Sequence, residues 1–244
     1  MKTPCALLIG LILQSLASGA YGGGLFLSDS VEVDLEKCNI SLRTSGGIFM
    51  FTPTFLIQQA LVTPSDLLPV SAGSETSDAE GKGITLEYKK GSERVLKVKI
   101  TASNDSNYLI LNGCEYNPGT TTQPLYAYWG WRAKSLKLQR MENGRLSNQS
   151  LNADESYEFD PADYVFIEYE DGSGLVIVSP GILGRSTVDG EGEESFFFMN
   201  GDPRNQQIEP GAGYSFSLGA AWLPDSKDVP ETARRIRALL GKEQ

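Results

Sequence analysis

Residues 157–180, YEFDPADYVFIEYEDGSGLVIVSP, decide the fold. Side chains alternate along a strand. From Tyr164 the positions Val165, Ile167 and Tyr169 therefore share one face, and Tyr164, Phe166, Glu168 and Glu170 share the other. Asp171-Gly172-Ser173-Gly174 carries the residue types of a turn. The return run Leu175-Val176-Ile177-Val178 is apolar at every position, the mark of a strand covered on both faces inside its sheet. The segment predicts a β-hairpin at the centre of a layered β protein.

The flanking sequence repeats the pattern. Ile84, Leu86 and Tyr88, a turn at Lys90-Gly91-Ser92, and Leu96, Val98 and Ile100 describe a second hairpin. Its outer face carries Lys89, Lys90, Arg94, Lys97 and Lys99. Such a face suits an acidic polymer or, more simply, solvent. Residues 108–116 alternate, with Tyr108, Ile110, Asn112, Cys114 and Tyr116 on one side. A last strand puts Tyr214, Phe216, Leu218, Ala220 and Trp222 together. Val31 to Leu35 begins the first strand, and the apolar runs 48–51 and 55–57 are interrupted by Pro53, which predicts an edge or a bend. Residues 63–83 read as a long surface loop and 181–194 as a second, acidic one. The faces of 125–138, LYAYWGWRAKSLKL, conflict between its two halves, which predicts a bulge within 130–135. Asn143-Gly144 marks a hairpin turn. One helix is expected over 230–240, with Asp228 and Glu231 spaced as a capping box and Gly241 as its stop. The expected fold is all-β, an antiparallel two-sheet β-sandwich of supersandwich or jelly-roll-like type with a short C-terminal helix, in one domain over 21–244.

Residues 1–20 combine Lys2, an apolar run over 6–13, and small residues at Ser18 and Ala20, the pattern of a secretory signal peptide. No stretch approaches the roughly 20 apolar residues of a membrane span. Without 1–20 the chain keeps 20 basic and 31 acidic residues, a net charge of 20 − 31 = −11. That balance repels nucleic acid and anionic membranes. A secreted location, extracellular or periplasmic, leaves two readings for Cys38 and Cys114: a disulfide, or two buried thiols.

The run over 208–224, IEPGAGYSFSLGAAWLP, which follows an FFF strand and an NGDP loop, resembles the closing strand of β-sandwich and supersandwich domains in secreted carbohydrate-active proteins. The resemblance implies stacked antiparallel sheets and a polysaccharide-related role. It places no catalytic residue on this chain.

The chain has no histidine. Ser-His-Asp and Cys-His nucleophiles, an imidazole base and histidine metal sites are therefore excluded. Carboxylate chemistry remains: Glu168 and Glu170 stand two apart on one strand face, roughly 7 Å between side-chain bases, within the span of glycosidase pairs. A lyase-type site would instead combine Tyr164 or Tyr169 with Arg132 or Arg185. No cofactor is required. Calcium is the one metal the residue types allow, weakly, through Asp189 and Glu191 with neighbouring Glu193 and Glu194, or through Glu170 and Asp171.

Sugar rings stack their C–H faces on aromatic side chains, with polar groups taking the hydroxyls. Tyr126, Tyr128, Trp129, Trp131, Arg132 and Glu168 provide those types, and Trp129 and Trp131 serve equally as core. Three roles follow: a glycan-binding protein without catalysis, a polysaccharide lyase or glycoside hydrolase built on Glu168, Glu170, Tyr164 and Arg132, or a protein-binding surface module.

Overall fold

The computed structural model describes the backbone of residues 24–35, 39–44, 47–57, 60–62, 68–72, 76–77, 81–103, 108–124, 128–133, 137–142, 145–150, 156–162, 164–168, 171–179, 182–188, 194–200 and 207–242. Side chains are described for 24–35, 39–44, 81–103, 108–122, 164–168, 171–179 and 207–241. The segment 1–20 and residues Cys38, Tyr126, Tyr169, Glu170, Asp189 and Glu191 lie outside the described residues.

Among the described residues the strands form two large antiparallel sheets. The first runs β1 (Gly24–Phe26), β2 (Val31–Asp34), β3 (Asn39–Thr44), β4 (Gly47–Ile57), β12 (Tyr128–Ala133), β19 (Glu194–Asn200), β18 (Ile182–Val188) and β15 (Ser156–Ala162), with β5 (Ala60–Val62) on β4. The second runs β14 (Arg145–Ser150), β13 (Lys137–Glu142), β16 (Tyr164–Glu168), β17 (Gly174–Val178), β21 (Gly213–Leu223), β10 (Tyr108–Tyr116), β9 (Glu93–Ala102), β8 (Lys82–Lys90) and β6 (Leu68–Ala72). On β8 there is also β7 (Thr76–Ser77), and a small pair joins β11 (Gln123–Pro124) to β20 (Gln207–Ile208).

The expected central hairpin is β16–β17, in register from Val165 opposite Ile177 to Glu168 opposite Gly174. All five residues of β17 are buried, and the two covers are different. Val165, Ile167, Leu175 and Ile177 join Val31, Val33, Ile40 and Leu42 of the first sheet in the core between the sheets. Tyr164, Phe166, Val176 and Val178 face the helix α1 (Val229–Lys242). Val229, Ala233, Ile236 and Leu240 of α1 are buried there. Their spacing of three and four residues is that of one helical face. No helix among the described residues is long and apolar enough to cross a membrane.

Several expectations change. The helix begins at Val229 and still includes Gly241. It follows a 3-10 turn, Ser226–Asp228, whose cap is Asp225, with Oδ1 accepting from Lys227 N at 2.9 Å; Asp228 is inside that turn and does not cap α1. Pro53 lies within one strand, because β4 changes partner there: residues 47–51 pair with β3 and 55–57 with β5. The expected loop 63–83 contains β6 and β7, which add to the edge of β8. Within the acidic segment 181–194, residues 182–188 form β18, which pairs with β19. The face conflict in 125–138 is resolved by a change of sheet and not by a bulge: β12 belongs to the first sheet and β13 to the second. A chain that crosses between sheets reassigns its inward positions. The strands on either side of 143–144, β13 and β14, pair with Glu142 opposite Arg145.

At Gly219 the helix approaches the sheet so closely that an added Cβ would lie 2.1 Å from Ile236 Cγ2. Gly219→Ala is expected to force α1 outward and to cost about 1–3 kcal/mol. Urea denaturation of the full chain measures it; an unchanged midpoint would contradict this packing.

Candidate functional site

One end of the second sheet carries polar chemistry on both faces. On the inward face a row runs across four strands, Tyr88, Leu96, Glu115 and Tyr214, each registered opposite the next. Tyr88 is buried and its hydroxyl donates to Leu35 O at 2.9 Å, tying the row to the first sheet. Glu115 is 5 % exposed, and its Oε1 has no hydrogen-bond partner among the described residues. Burial alone pushes its carboxyl well above the usual range. Tyr214, half-buried beside it, is raised by its own burial and then by the Glu115 charge. Below this row Asn117 closes the corner: Nδ2 donates to Thr121 O at 2.9 Å and Ile208 O at 2.8 Å, and Oδ1 accepts from Gly119 N at 2.8 Å.

The outward face is built by a register shift. Tyr88 pairs with Leu96 but Lys89 pairs with Arg94, so Val95 is an extra residue in β9. Val95 and Leu96 are both buried in the inter-sheet core. The bulge resets the alternation and brings Arg94 onto the face of Glu87, Lys97 and Lys99. There Arg94 Nε lies 3.1 Å and Lys89 Nζ 3.8 Å from Glu87 Oε1. The Arg94 guanidinium stands 5.3 Å from the centre of the Tyr116 ring. Burial raises the Tyr116 phenol. An added Cβ at Gly213 would come within 2.6 Å of Cys114 Sγ and 3.0 Å of the Tyr116 ring, so the glycine is what lets both side chains lie over the backbone of β21. Cys114 is a half-buried free thiol, Sγ donating to Glu115 O at 3.7 Å. It is thus free in the structure, where the disulfide reading would have bonded it to Cys38.

The residues singled out in the sequence are dispersed. Tyr128, Trp129, Trp131 and Arg132 belong to β12, between β4 and β19, with Trp129 registered opposite Phe198 and Trp131 opposite Phe196. Glu168 ends β16 in the other sheet, opposite Lys137, where the chain enters that sheet after leaving β12. Tyr164 is 6 % exposed and packs beneath α1; a side chain closed between sheet and helix is out of reach of a polymer. Asp171 accepts from Ser173 N at 2.9 Å and from the Ser173 hydroxyl, bonds that hold its carboxyl below the usual value. Its oxygens serve the turn. Among the described residues no group of three or more acidic or cysteine side chains gathers to hold a metal. Glu115 was missed, although its signal was present: in an alternating strand it falls among the inward positions with Leu109 and Leu111.

No protein-family model matches the chain, and no curated protein matches its sequence. Solved structures share the fold. An α-N-acetylgalactosaminidase from Bifidobacterium bifidum matches with TM-score 0.60 and 9 % identity, over 91 % of this chain and 39 % of the enzyme. A TPR-domain containing protein from Parabacteroides distasonis matches with TM-score 0.57 and 12 % identity, over 82 % of this chain and 46 % of that one. A GH36 α-galactosidase from Geobacillus stearothermophilus gives TM-score 0.50 and 11 % identity, over 73 % of this chain and 30 % of the enzyme. The chain thus spans less than half the length of each of these proteins, and the two-sheet sandwich is what it has in common with them.

In the unfolded chain Glu115 ionises near the ordinary value of about 4.3, and in the folded chain well above it. The unfolded state sheds this proton first as pH rises. Stability is therefore lost from that ordinary range upward, through the raised native value. Glu115→Gln is expected to be more stable than the parent at pH 7 by about 1–3 kcal/mol, with the difference vanishing near pH 4. Thermal melts of both proteins across pH check it; a difference independent of pH would contradict a buried ionisable Glu115.

Proposed function

We propose that the protein is a secreted glycan-binding β-sandwich that holds a polysaccharide without cleaving it. The observation that carries this reading is the fold: over 91 % of its length the chain is similar to part of an enzyme named for cleaving N-acetylgalactosamine, and it spans 39 % of that enzyme. A sandwich of this size that accompanies glycan chemistry in a longer protein is suited to holding the polymer.

The proposed binding set is Tyr126, Tyr128, Trp129, Trp131 and Arg132, with Glu168, which ends β16 in the other sheet. Aromatic rings supply stacking surfaces for sugars, and the charged groups take hydroxyls. The secretory pattern of residues 1–20 supports an extracellular or periplasmic setting, where polysaccharides are met.

Tryptophan-fluorescence titration of the full chain against neutral and acidic polysaccharides tests the proposal, each mixture then being analysed for shortened or unsaturated products. Saturable binding with unchanged polymer is expected. Tyr128→Ala and Trp131→Ala are each expected to weaken it roughly three- to tenfold, the scale of one lost aromatic contact. Product formation, or no saturable signal with any polysaccharide, would overturn it.

A further inference from the structure

Glu115 points into the space between the two sheets, on the strand face where Leu109 and Leu111 are core. Its Oε1 is sealed from water and has no hydrogen-bond partner among the described residues. The two strands beside it are unequal. On β9 it stands opposite Leu96, which is buried, and on β21 opposite Tyr214, which is half-buried. Tyr214 packs on the inter-sheet core and also on Ile208 and Ala212. It thereby links the core to the corner that closes this end of the second sheet. We propose that Glu115 is a proton-operated latch for that corner, residues 117–124 with 207–214: the neutral acid keeps it shut and the carboxylate opens it. The device is independent of the glycan-binding reading.

A buried carboxylate without a partner is far costlier than the neutral acid. Burial alone holds the Glu115 carboxyl well above its usual range. Its surroundings do not offset that. Among the described residues Tyr214 and Tyr88 share its row, and the Tyr88 hydroxyl donates to Leu35 O. Arg94 and Lys97 of β9, and Cys114 and Tyr116 of β10, belong to the opposite face of the sheet. In the first sheet Asp34 alternates away from Val33, which is in the core. Glu209 in the corner is exposed and accepts from Thr122 Oγ1 at 2.7 Å.

The ionised side chain gains water on the Tyr214 side, because the Leu96 side is closed core. What gives way is the end of the β10–β21 ladder and the turn beyond it. There Asn117 N donates to Ala212 O at 3.0 Å and Gly211 N to Asn117 O at 2.9 Å. The Asn117 side chain, bonded to Thr121 O and Ile208 O, is released with them. Bonds at a ladder's end open locally while the sheet stays folded. In the open corner Glu115 ionises near the ordinary value of about 4.3, and in the closed corner well above it. The closed form therefore binds the extra proton. Closure is fully supported below the ordinary value and is lost as pH rises through the raised one, each pH unit of that window favouring opening by up to about tenfold.

Hydrogen–deuterium exchange of the full chain, read peptide by peptide at about pH 5 and about pH 7.5 and corrected for intrinsic rates, tests the latch. The amides of 115–119 and 207–214 are expected to lose protection by roughly tenfold or more at the higher pH, while those of β16 and β17 keep theirs. Glu115→Gln cannot ionise and is expected to remove the difference. Glu115→Leu, which places the residue type of positions 109 and 111 in the same strand face, is expected to do the same and serves where a buried amide disturbs folding. Equal corrected protection at both pH values would overturn the proposal. So would a loss spread evenly over the chain, which marks global unfolding, or a corner loss that persists in both variants.

Discussion

The structure depends on the double covering of β17. Its residues Gly174–Val178 are buried on both sides, by the first sheet through Leu175 and Ile177 and by α1 through Val176 and Val178. Burying one such aliphatic side chain is worth about 1.5–3 kcal/mol, so neither cover is dispensable. A bare sheet with Phe166, Val176 and Leu223 open to water would be a large apolar patch. The helix is therefore a structural third layer, and its position sets how much of the outward face is left for anything else.

What is left has a different character. Where α1 stops, the same face turns polar and basic, because β8 and β9 continue the sheet beyond the helix's reach. The extra residue Val95 matters here: by keeping Val95 and Leu96 both in the core, it rotates Arg94 outward to Glu87 and Tyr116. On the inner side of the same sheet end the opposite economy holds. Glu115 occupies a position where Leu109 and Leu111 are its strand equivalents, with no partner for Oε1 among the described residues. A buried acid of this kind weakens the fold at neutral pH, and the Asn117 corner, with its three hydrogen bonds, ties down the chain immediately after it.

A sandwich with this architecture recurs at 9 to 12 % identity in proteins of which it covers 30 to 46 %. Sequence divergence on that scale leaves the layers intact because the layers need only alternation and volume. Function is then a property of the faces and ends of the sheets, where residues are free to differ. In this chain the aromatic strand β12 and the basic strands β8 and β9 belong to different sheets.

The sequence by itself determined the strands at the centre of the second sheet, β8, β9, β10, β16, β17 and β21. Alternation placed Ile84, Leu86, Tyr88, Leu96, Val98 and Ile100 inward, as it did Phe216 to Trp222, and the unbroken run 175–178 marked the central strand, because period-two burial is local information. The lack of histidine likewise removed whole classes of chemistry before any fold was known. Only the tertiary structure decided which cover lay on which face. The helix is legible in its own sequence, but nothing local says that Ile236 meets Gly219. The change of sheet after β12 looked like a bulge, because a strand reads the same whichever sheet it joins. Parts of the loop expected at 63–83 and of the acidic segment 181–194 are paired strands, β6 and β7 in the one and β18 in the other, since pairing with β8 and β19 is a long-range event invisible in composition. Glu115 went unread although alternation puts it on the face of Leu109 and Leu111, and its isolation depended on neighbours contributed by β9 and β21. The basic face of β8 and β9 was legible as charges, whereas its boundary was drawn by how far α1 extends over the sheet.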